Sequence, residues 1–266
     1  MSRVGFIGAG RIGGPMVTRL AEAGHDVRAL GRSPEKRTAV QRLGATGVST
    51  VEDVADGAGV VVICVFTDEQ VQRVCLESEL IPSMTPGSVI VVHTTGSPHT
   101  VQAVAARADR RFIDVVDAPV SGGPQDVAAG RVTLFVGGDG GAVTQVESVL
   151  SSYGDPVLHV GPLGAGQSVK LLNNLLFAAQ VGLVSEVVHL GDRLGVAEPT
   201  LLKALTQGSA TSFALNSIAA AGSTATFTAA VGDFIRKDVG VVRKALAELE
   251  IGIGRLDDVV NAGLST

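Results

Sequence analysis

Val4-Gly5-Phe6-Ile7-Gly8-Ala9-Gly10-Arg11-Ile12-Gly13-Gly14-Pro15-Met16 is the stretch that decides the reading of this chain. Val4 to Ile7 is a short apolar run. Arg11 to Ala23 follows with helical spacing, so that Ile12, Met16, Leu20 and Ala23 share one face. Between them lies Gly8-Ala9-Gly10-Arg11-Ile12-Gly13, a G-x-G-x-x-G sequence. Each glycine has a physical reason. Gly8 permits a tight turn, Gly10 lets a pyrophosphate approach the backbone, and Gly13 allows helix and strand to pack closely. The helix N-terminus adds unpaired N–H groups and a partial positive charge. A glycine-rich turn alone is a weak signal. Strand before and helix after turn it into a dinucleotide-binding fingerprint.

Working outward, strand-like and helix-like segments alternate over the first 160 or so residues. Val27–Leu30, Val60–Phe66, Val89–Val92, Phe112–Val116, Val132–Val136 and Val157–Val160 are the further strand candidates. The continuous apolarity of Val60–Phe66 is that of a parallel strand covered on both faces. The alternation predicts an α/β domain, a doubly wound, mostly parallel sheet with helices on both sides. The rhythm changes at Gly161-Pro162-Leu163-Gly164, a Gly/Pro boundary signal. Domains are therefore expected at 1–163 and 164–266, the second all-helical and entered by a long helix. Gln167 to Leu194 is helix-compatible and free of proline, and its apolar positions surround the helix, which predicts burial on several sides. Pro199 opens a further helix, and Asp233 to Leu249 forms another.

Composition narrows the partners. With 45% apolar and 18% charged residues, a chain of 266 residues can bury a core. Net charge is −5, no basic stripe is present, and aromatic content is 3% with no Trp, which argues against nucleic acid. Cys64 and Cys75 form no disulfide framework. His25, His93, His99, His159 and His189 are scattered, so no metal site is expected. The N-terminus enters a strand without a signal peptide. The longest apolar runs read as too short or too Gly-interrupted to cross a membrane. The expectation is a cytoplasmic globular protein.

Cofactor choice should be made at the end of the second strand, where an acid would accept from the ribose 2′-hydroxyl of NAD. The sequence there is Leu30-Gly31-Arg32-Ser33-Pro34-Glu35-Lys36, with no carboxylate at the strand end. Arg32, assisted by Ser33, can hold a 2′-phosphate, which favours NADP over NAD. The same Arg could be a solvated turn residue. Asp117-Ala118-Pro119-Val120-Ser121-Gly122-Gly123-Pro124 is a second glycine cluster after a strand. Its Ser-Gly-Gly turn could be a nest for a small carboxylate or only a tight connection. Gly137-Gly138-Asp139-Gly140-Gly141 reads as a turn. Lys170 and Asn174 are four residues apart on one helix face. A lysine in an apolar helix either snorkels to water or is held there for chemistry. Lys237-Asp238, in a later helix, could be an ordinary charge pair.

Taken together, four motifs in this order resemble the β-hydroxyacid dehydrogenase family: Gly5 to Met16, Asp117 to Gly123, Gly164-Ala165-Gly166-Gln167-Ser168-Val169-Lys170-Leu171-Leu172-Asn173-Asn174, and Lys237-Asp238. The resemblance implies a Rossmann domain joined by the long helix to an all-helical domain, with the active site in the cleft between them. It implies that Lys170 is the catalytic lysine, that Asn174 is the substrate-binding asparagine that acts with it in catalysis, and that Asn173 binds substrate as well. Ser121, Gly122 and Gly123 match the substrate-carboxylate loop. Thr95 matches the residue beside the nicotinamide, and Lys237 a second lysine on the cofactor side. With Val65, these residues complete a cofactor-binding set of Gly8, Ala9, Gly10, Arg11, Ile12, Gly13, Arg32, Ser33, Thr95 and Lys237. Homodimers or homotetramers through the helical domains are implied as well.

The chain departs from the family pattern in three ways. It is somewhat short in the helical half, Ile12 replaces a usual methionine, and Phe66-Thr67-Asp68 replaces a Pro-containing turn. The expected reaction is hydride transfer between NADP(H) and a small hydroxy acid, semialdehyde or keto acid, with Lys170 as general acid/base. Alternatives are an imine reductase-like enzyme, which the presence of Lys170 disfavours, and a relative of 6-phosphogluconate dehydrogenase, which needs a larger helical half. A third is a non-catalytic NADP-binding interaction protein, which would be expected to have lost Lys170 or the Ser-Gly-Gly loop.

Overall fold

A computed structural model describes residues 2–264. The chain divides into two compact units, Met1–Lys170 and Leu171–Thr266. The first holds nine strands: β1 (Arg3–Ile7), β2 (Asp26–Leu30), β3 (Thr46–Val48), β4 (Val60–Ile63), β5 (Val89–Val92), β6 (Asp114–Asp117), β7 (Val120–Ser121), β8 (Val132–Gly137) and β9 (Gly154–Gly161). Between them run helices α1 (Gly13–Glu22), α2 (Pro34–Arg42), α3 (Val51–Ala55), α4 (Asp68–Leu76), α5 (Leu80–Ser83), α6 (Pro98–Ala108), α7 (Pro124–Ala128) and α8 (Gly140–Leu150).

The sheet order is β3-β2-β1-β4-β5-β6-β8-β7, and β9 also pairs with β8. β3 through β6 are mutually parallel, and β6 and β7 each meet β8 antiparallel. The winding reverses between β1 and β4. This is the switch point where open α/β sheets bind ligands beyond the strand C-termini.

Strand period two builds two separate cores. Phe6, Val60, Val62, Val89 and Val91 face a layer holding Met16, Val17 and Leu20 of α1 and Val146, Val149 and Leu150 of α8. Ile7, Val61, Ile63, Ile90 and Val92 face Val54 of α3, Val71 and Val74 of α4, and Val101 and Val104 of α6. That is why β4 and β5 are apolar at every position.

Several expected strand ends shift. β9 starts three residues earlier, at Gly154 rather than Val157, and β1, β2 and β8 gain a residue at one end. Two shifts have a local cause. β4 stops at Ile63 rather than Phe66, because the chain turns to Thr67, whose side chain caps α4 in a capping box with Gln70. β6 begins at Asp114 rather than Phe112, because Phe112 is a left-handed residue (φ 55°) closing a short 3-10 turn.

The second unit takes up the rest of α9 (Ala165–Arg193), followed by α10 (Glu198–Leu205), α11 (Phe213–Ala221), α12 (Thr224–Glu248) and α13 (Leu256–Leu264). No strand follows Gly161 among the described residues. Glu198 of α10 accepts from both the N–H and the hydroxyl of Thr224 at 2.7 and 2.8 Å, which ties the start of α12 to it. A Cβ at Gly182 of α9 would overlap the Val259 carbonyl, so α13 crosses there at backbone distance.

The expectation of α9 buried on several sides is corrected. Leu171, Leu175, Ala178, Ala179 and Val181 are buried, but Leu172, Leu176, Leu183, Leu190 and Leu194 are more than half exposed. The expectation that no segment is long enough to cross a membrane is corrected too. α9 has 29 residues and an apolar window of mean hydropathy 1.5, with half of that window buried inside the protein. A core helix of a water-soluble protein meets the same description.

Candidate active site

The glycine turn follows β1. Gly8 has φ 105°, and a Cβ there would overlap the Cys64 carbonyl at the end of β4. A Cβ at Gly13 would overlap the Gly8 carbonyl and come within 2.9 Å of the Phe6 ring. The protein itself therefore requires both. Gly10 differs: a Cβ there would meet no protein atom within 4 Å. The turn is tightened by Gly10 N–H donating to Gly8 O at 2.7 Å and Gly14 N–H to Gly10 O at 2.7 Å. α1 begins without a side-chain cap and without an acid in its first turn. Its N–H groups and dipole are not neutralised by its own side chains, which suits an anion. Ala9 and Ile12 are half-buried, and Arg11 is exposed.

At the end of β2, Arg32 is exposed. Ser33 caps α2, accepting from Lys36 N–H at 3.3 Å. Its hydroxyl also holds the exposed Glu35 carboxyl below its usual range, with smaller backbone and Arg37 contributions in the same direction. A Cβ at Gly31 would come within 2.7 Å of Arg37 N, so α2 starts hard against the strand end.

The ends of β4 and β5 are joined by Thr94. Its hydroxyl accepts from Val65 N–H and donates to Val65 O, each at 3.0 Å. Thr95 is half-buried next to it. Just before it, His93 is buried with one ring nitrogen on the Ala118 carbonyl (2.5 Å) and the other on the Tyr153 hydroxyl (2.8 Å). A carbonyl only accepts, so Nδ1 carries the proton and Nε2 accepts from Tyr153. Burial pulls the imidazolium down to about 4, against a smaller opposing effect of the Ala118 bond, so the ring is neutral at pH 7.

Beyond β6, Ser121 lies in the short strand β7, and Gly122 has φ 134°. Gly123 starts α7. Its N–H donates to Asp126 Oδ2 at 2.7 Å, so one donor of the expected carboxylate nest is taken internally.

The first turn of α9 is bound to this sheet edge. Asp117 is fully buried, and its Oδ1 and Oδ2 accept from Gly164 N–H (2.7 Å) and Gln167 N–H (2.6 Å). Burial raises its carboxyl, while these backbone bonds and one from Gly166 lower it; burial dominates. The buried Gln167 side chain accepts from Gly96 N–H at 3.0 Å and donates to Thr94 O at 2.8 Å. Lys170, half-buried, follows one turn later. The sequence reading assigned roles to Lys170 and Thr95 but none to Asp117 or Gln167.

In the second unit, Asn174 is buried. Its Oδ1 accepts from Asn173 Nδ2 at 3.3 Å, and its Nδ2 finds no partner among the described residues. Such a donor calls for an acceptor from outside the chain. Lys237 is half-buried on α12. Among the described residues no group of three His, Cys, Asp or Glu side chains could hold a metal ion. Burial pushes the thiols of Cys64 and Cys75 up to about 12, which leaves them protonated and unreactive.

A glycine-rich turn at the switch point of a doubly wound sheet, followed by a helical unit, is the architecture of a dinucleotide-binding fold. Residues 3–161 match the family described as the NAD binding domain of 6-phosphogluconate dehydrogenase. Residues 164–257 match that described as the NAD-binding of NADP-dependent 3-hydroxyisobutyrate dehydrogenase. The chain is 30% identical over 217 residues to a 3-hydroxyisobutyrate dehydrogenase of Pseudomonas aeruginosa, covering 81% of this chain and 73% of that one. An NAD-dependent L-serine dehydrogenase of the same organism is 31% identical over 216 residues, 81% and 72% of the two chains. A solved 3-hydroxyisobutyrate dehydrogenase of Mycobacterium tuberculosis with L-serine superposes with a TM-score of 0.88 at 25% identity, covering 100% of this chain and 92% of that one. The chain belongs to the β-hydroxyacid dehydrogenase family of NAD(P)-dependent enzymes.

Proposed function

We propose that the chain transfers hydride between NADP(H) and a small β-hydroxy acid or the matching semialdehyde or keto acid, with Lys170 as general acid/base. The observation that carries this reading is the anchoring of the Lys170 helix, through Gln167, to the Thr94–Gly96 segment at the sheet's C-terminal edge. Gly8 to Gly13 would hold the pyrophosphate and Arg32 with Ser33 the 2′-phosphate. Val65, Thr95 and Lys237 would serve the nicotinamide side. The absence of a carboxylate at the end of β2 supports NADP over NAD. When bound, the nicotinamide supplies or accepts the hydride.

In the reductive direction the ammonium of Lys170 stabilises the charge growing on the substrate oxygen and gives it a proton. In the oxidative direction the neutral amine removes the hydroxyl proton. The unpartnered Nδ2 of Asn174, four residues on, donates to a substrate oxygen, with Asn173 holding its Oδ1. Ser121 and the Gly122 turn receive the carboxylate. Residues 1–163 would then hold most of the dinucleotide and the substrate carboxylate, and residues 164–266 would supply Lys170, Asn173, Asn174 and Lys237 and the surfaces for assembly.

The exposed residues Leu172, Leu176, Leu183, Val187 and Leu190 recur at helical spacing along α9. An apolar seam of this kind is suited to a second copy of the chain. This seam supports reading the chain as a homodimer or homotetramer, and the proposed reaction is that of a cytoplasmic enzyme.

The test is Lys170→Ala, with NADPH affinity measured beside turnover of glyoxylate, succinic semialdehyde, methylmalonate semialdehyde, 3-hydroxyisobutyrate and L-serine. Lost turnover with retained NADPH binding is expected. Undiminished turnover on a compound the wild type uses rejects the role of Lys170.

A further inference from the structure

We infer that Asp117 and Gln167 are positioning residues that set where Lys170 stands at the nicotinamide edge. The inference rests on the proposed role of Lys170 and extends it to two residues that touch neither substrate nor cofactor in that reading.

Three observations carry it. First, the cap on α9 comes from far along the chain. Asp117 ends β6, where it pairs with Val92 of β5 and Gly137 of β8. Its two carboxylate oxygens take the N–H groups of Gly164 and Gln167, 47 and 50 residues away. An ordinary N-cap is a neighbour in sequence and moves with its helix. This one is part of the sheet, so the helix start is registered to strand ends.

Second, Gln167 makes a two-point contact. Its amide accepts from Gly96 N–H and donates to Thr94 O, bracketing Thr95 from both sides. Thr94 in turn clamps Val65. Two bonds to one planar amide fix the roll of the helix about its axis as well as its distance. Lys170 is three residues on, one turn above Gln167, and inherits both.

Third, there is no slack. A Cβ at Gly166 would overlap the Phe135 carbonyl and come within 2.8 Å of Asp117 Oδ2. A Cβ at Gly137 would overlap Asp117 and stand 2.8 Å from both Gly166 N and Pro162 O. The turn is packed backbone against backbone.

A group that transfers a proton while hydride moves must be held to within about half an ångström, and a misplacement of about 1 Å costs on the order of a hundredfold. The burial of Asp117 and Gln167 has a plainer alternative, which is that they only stabilise the fold. The two differ in what falls when they are changed. A stability residue lowers the melting temperature and leaves the folded enzyme's kcat alone. A positioning residue lowers kcat while KM and dinucleotide affinity stay.

The experiment compares wild type, Gln167→Met, Gln167→Glu and Lys170→Ala, using whichever of the five compounds above the wild type turns over. NADPH affinity and amide hydrogen exchange of residues 164–170 are measured on the same samples without substrate. Gln167→Met keeps the volume and loses both bonds. Gln167→Glu keeps the acceptor for Gly96 N–H but sets a carboxylate against the Thr94 carbonyl.

Expected are a kcat about 10- to 100-fold lower for Gln167→Met, an intermediate value for Gln167→Glu, KM and NADPH affinity within about threefold, and faster exchange in the first turn of α9. A kcat within about twofold of wild type in a variant that binds NADPH overturns the inference, and an inactive Lys170→Ala then leaves the reading of Lys170 standing. If Lys170→Ala turns over normally, or if wild type turns over none of the five, that reading fails and the inference with it. Should Gln167→Met lose NADPH binding, Gln167→Glu carries the test on the same criteria.

Discussion

Acidification from pH 7 to pH 4 should destabilise the first unit through one side chain, His93. Its imidazole is fully enclosed between the Ala118 carbonyl and the Tyr153 hydroxyl, and burial holds its pKa at about 4 against an ordinary 6.5. The sign follows from where protons bind. Below 6.5 the unfolded chain takes up a proton that the folded chain refuses until about 4. Stability contributed by the neutral ring is therefore complete above 6.5 and is lost as the pH falls to about 4, at ~1.4 kcal/mol per pH unit. The loss is about 3 kcal/mol, a large part of the ~5–15 kcal/mol that holds a domain folded. Asp117, whose carboxyl is raised by burial, works in the opposite direction. It is common to wild type and variant and cancels in their difference. The variant is His93→Asn, which keeps a donor for Ala118 and does not titrate. Tyr153 is the only tyrosine and there is no tryptophan, so tyrosine fluorescence in urea reports the first unit. The stability gap between wild type and His93→Asn should shrink by about 3 kcal/mol between pH 7 and pH 4. A gap constant to within about 0.5 kcal/mol would refute the neutral, buried assignment.

Three further outcomes follow from the same geometry. Arg32→Ala should weaken NADPH by roughly ten- to a hundredfold, the worth of about 1.5–3 kcal/mol in charge-assisted bonds, and leave NADH within about twofold; equal losses for both dinucleotides would remove Arg32 from the 2′-phosphate. Leu183→Glu together with Leu190→Glu should yield monomers in sedimentation velocity with the far-ultraviolet spectrum unchanged, and an unaltered oligomer would free the α9 seam from that role. Gly166→Ala should cost about 1–3 kcal/mol in urea unfolding followed by Tyr153, because its methyl meets backbone on two sides; a neutral effect would mean that the α9 start has room to shift.

Most of the sheet could be read from the chain because its central strands are buried on both faces, and an apolar run such as Val89–Val92 has no other soluble use. What could not be read is short or non-local. β3 is three residues, Thr46 to Val48, with Thr46 exposed and Gly47 in the middle, and it carries no apolar period. β7 is two residues and exists only because β8 is there to pair with it. Phe112 is hydrophobic and reads as strand, but it stands 79% exposed in a left-handed turn. Lys170 stood out because a charge in an apolar helix is costly. Asp117 and Gln167 did not, since a carboxylate 50 residues from the helix it caps leaves no local pattern. The available signal was an acid closing an apolar strand, which demands buried donors. Periodicity misjudged α9 for a different reason: apolar positions on every side require cover, but they do not say whether the cover belongs to the same chain.

The glycine fingerprint deserves a finer division than its spacing suggests. Gly8 and Gly13 are explained by the protein: added methyls would strike the Cys64 and Gly8 carbonyls, and Gly8 adopts a positive φ. Any fold that wraps a helix this tightly around a strand end would need them, with or without a ligand. Gly10 is exposed, and its missing methyl would touch nothing in the chain. Of the three, only Gly10 is not required by the protein's own packing, so the room at its exposed backbone is what the proposed pyrophosphate contact would use. The uncapped, acid-free start of α1 points the same way, because a helix N-terminus without a side-chain partner is favourable where an anion supplies one. The spacing of the motif therefore speaks for the turn, while the proposed dinucleotide contact rests on the open backbone at Gly10 and the uncapped start of α1.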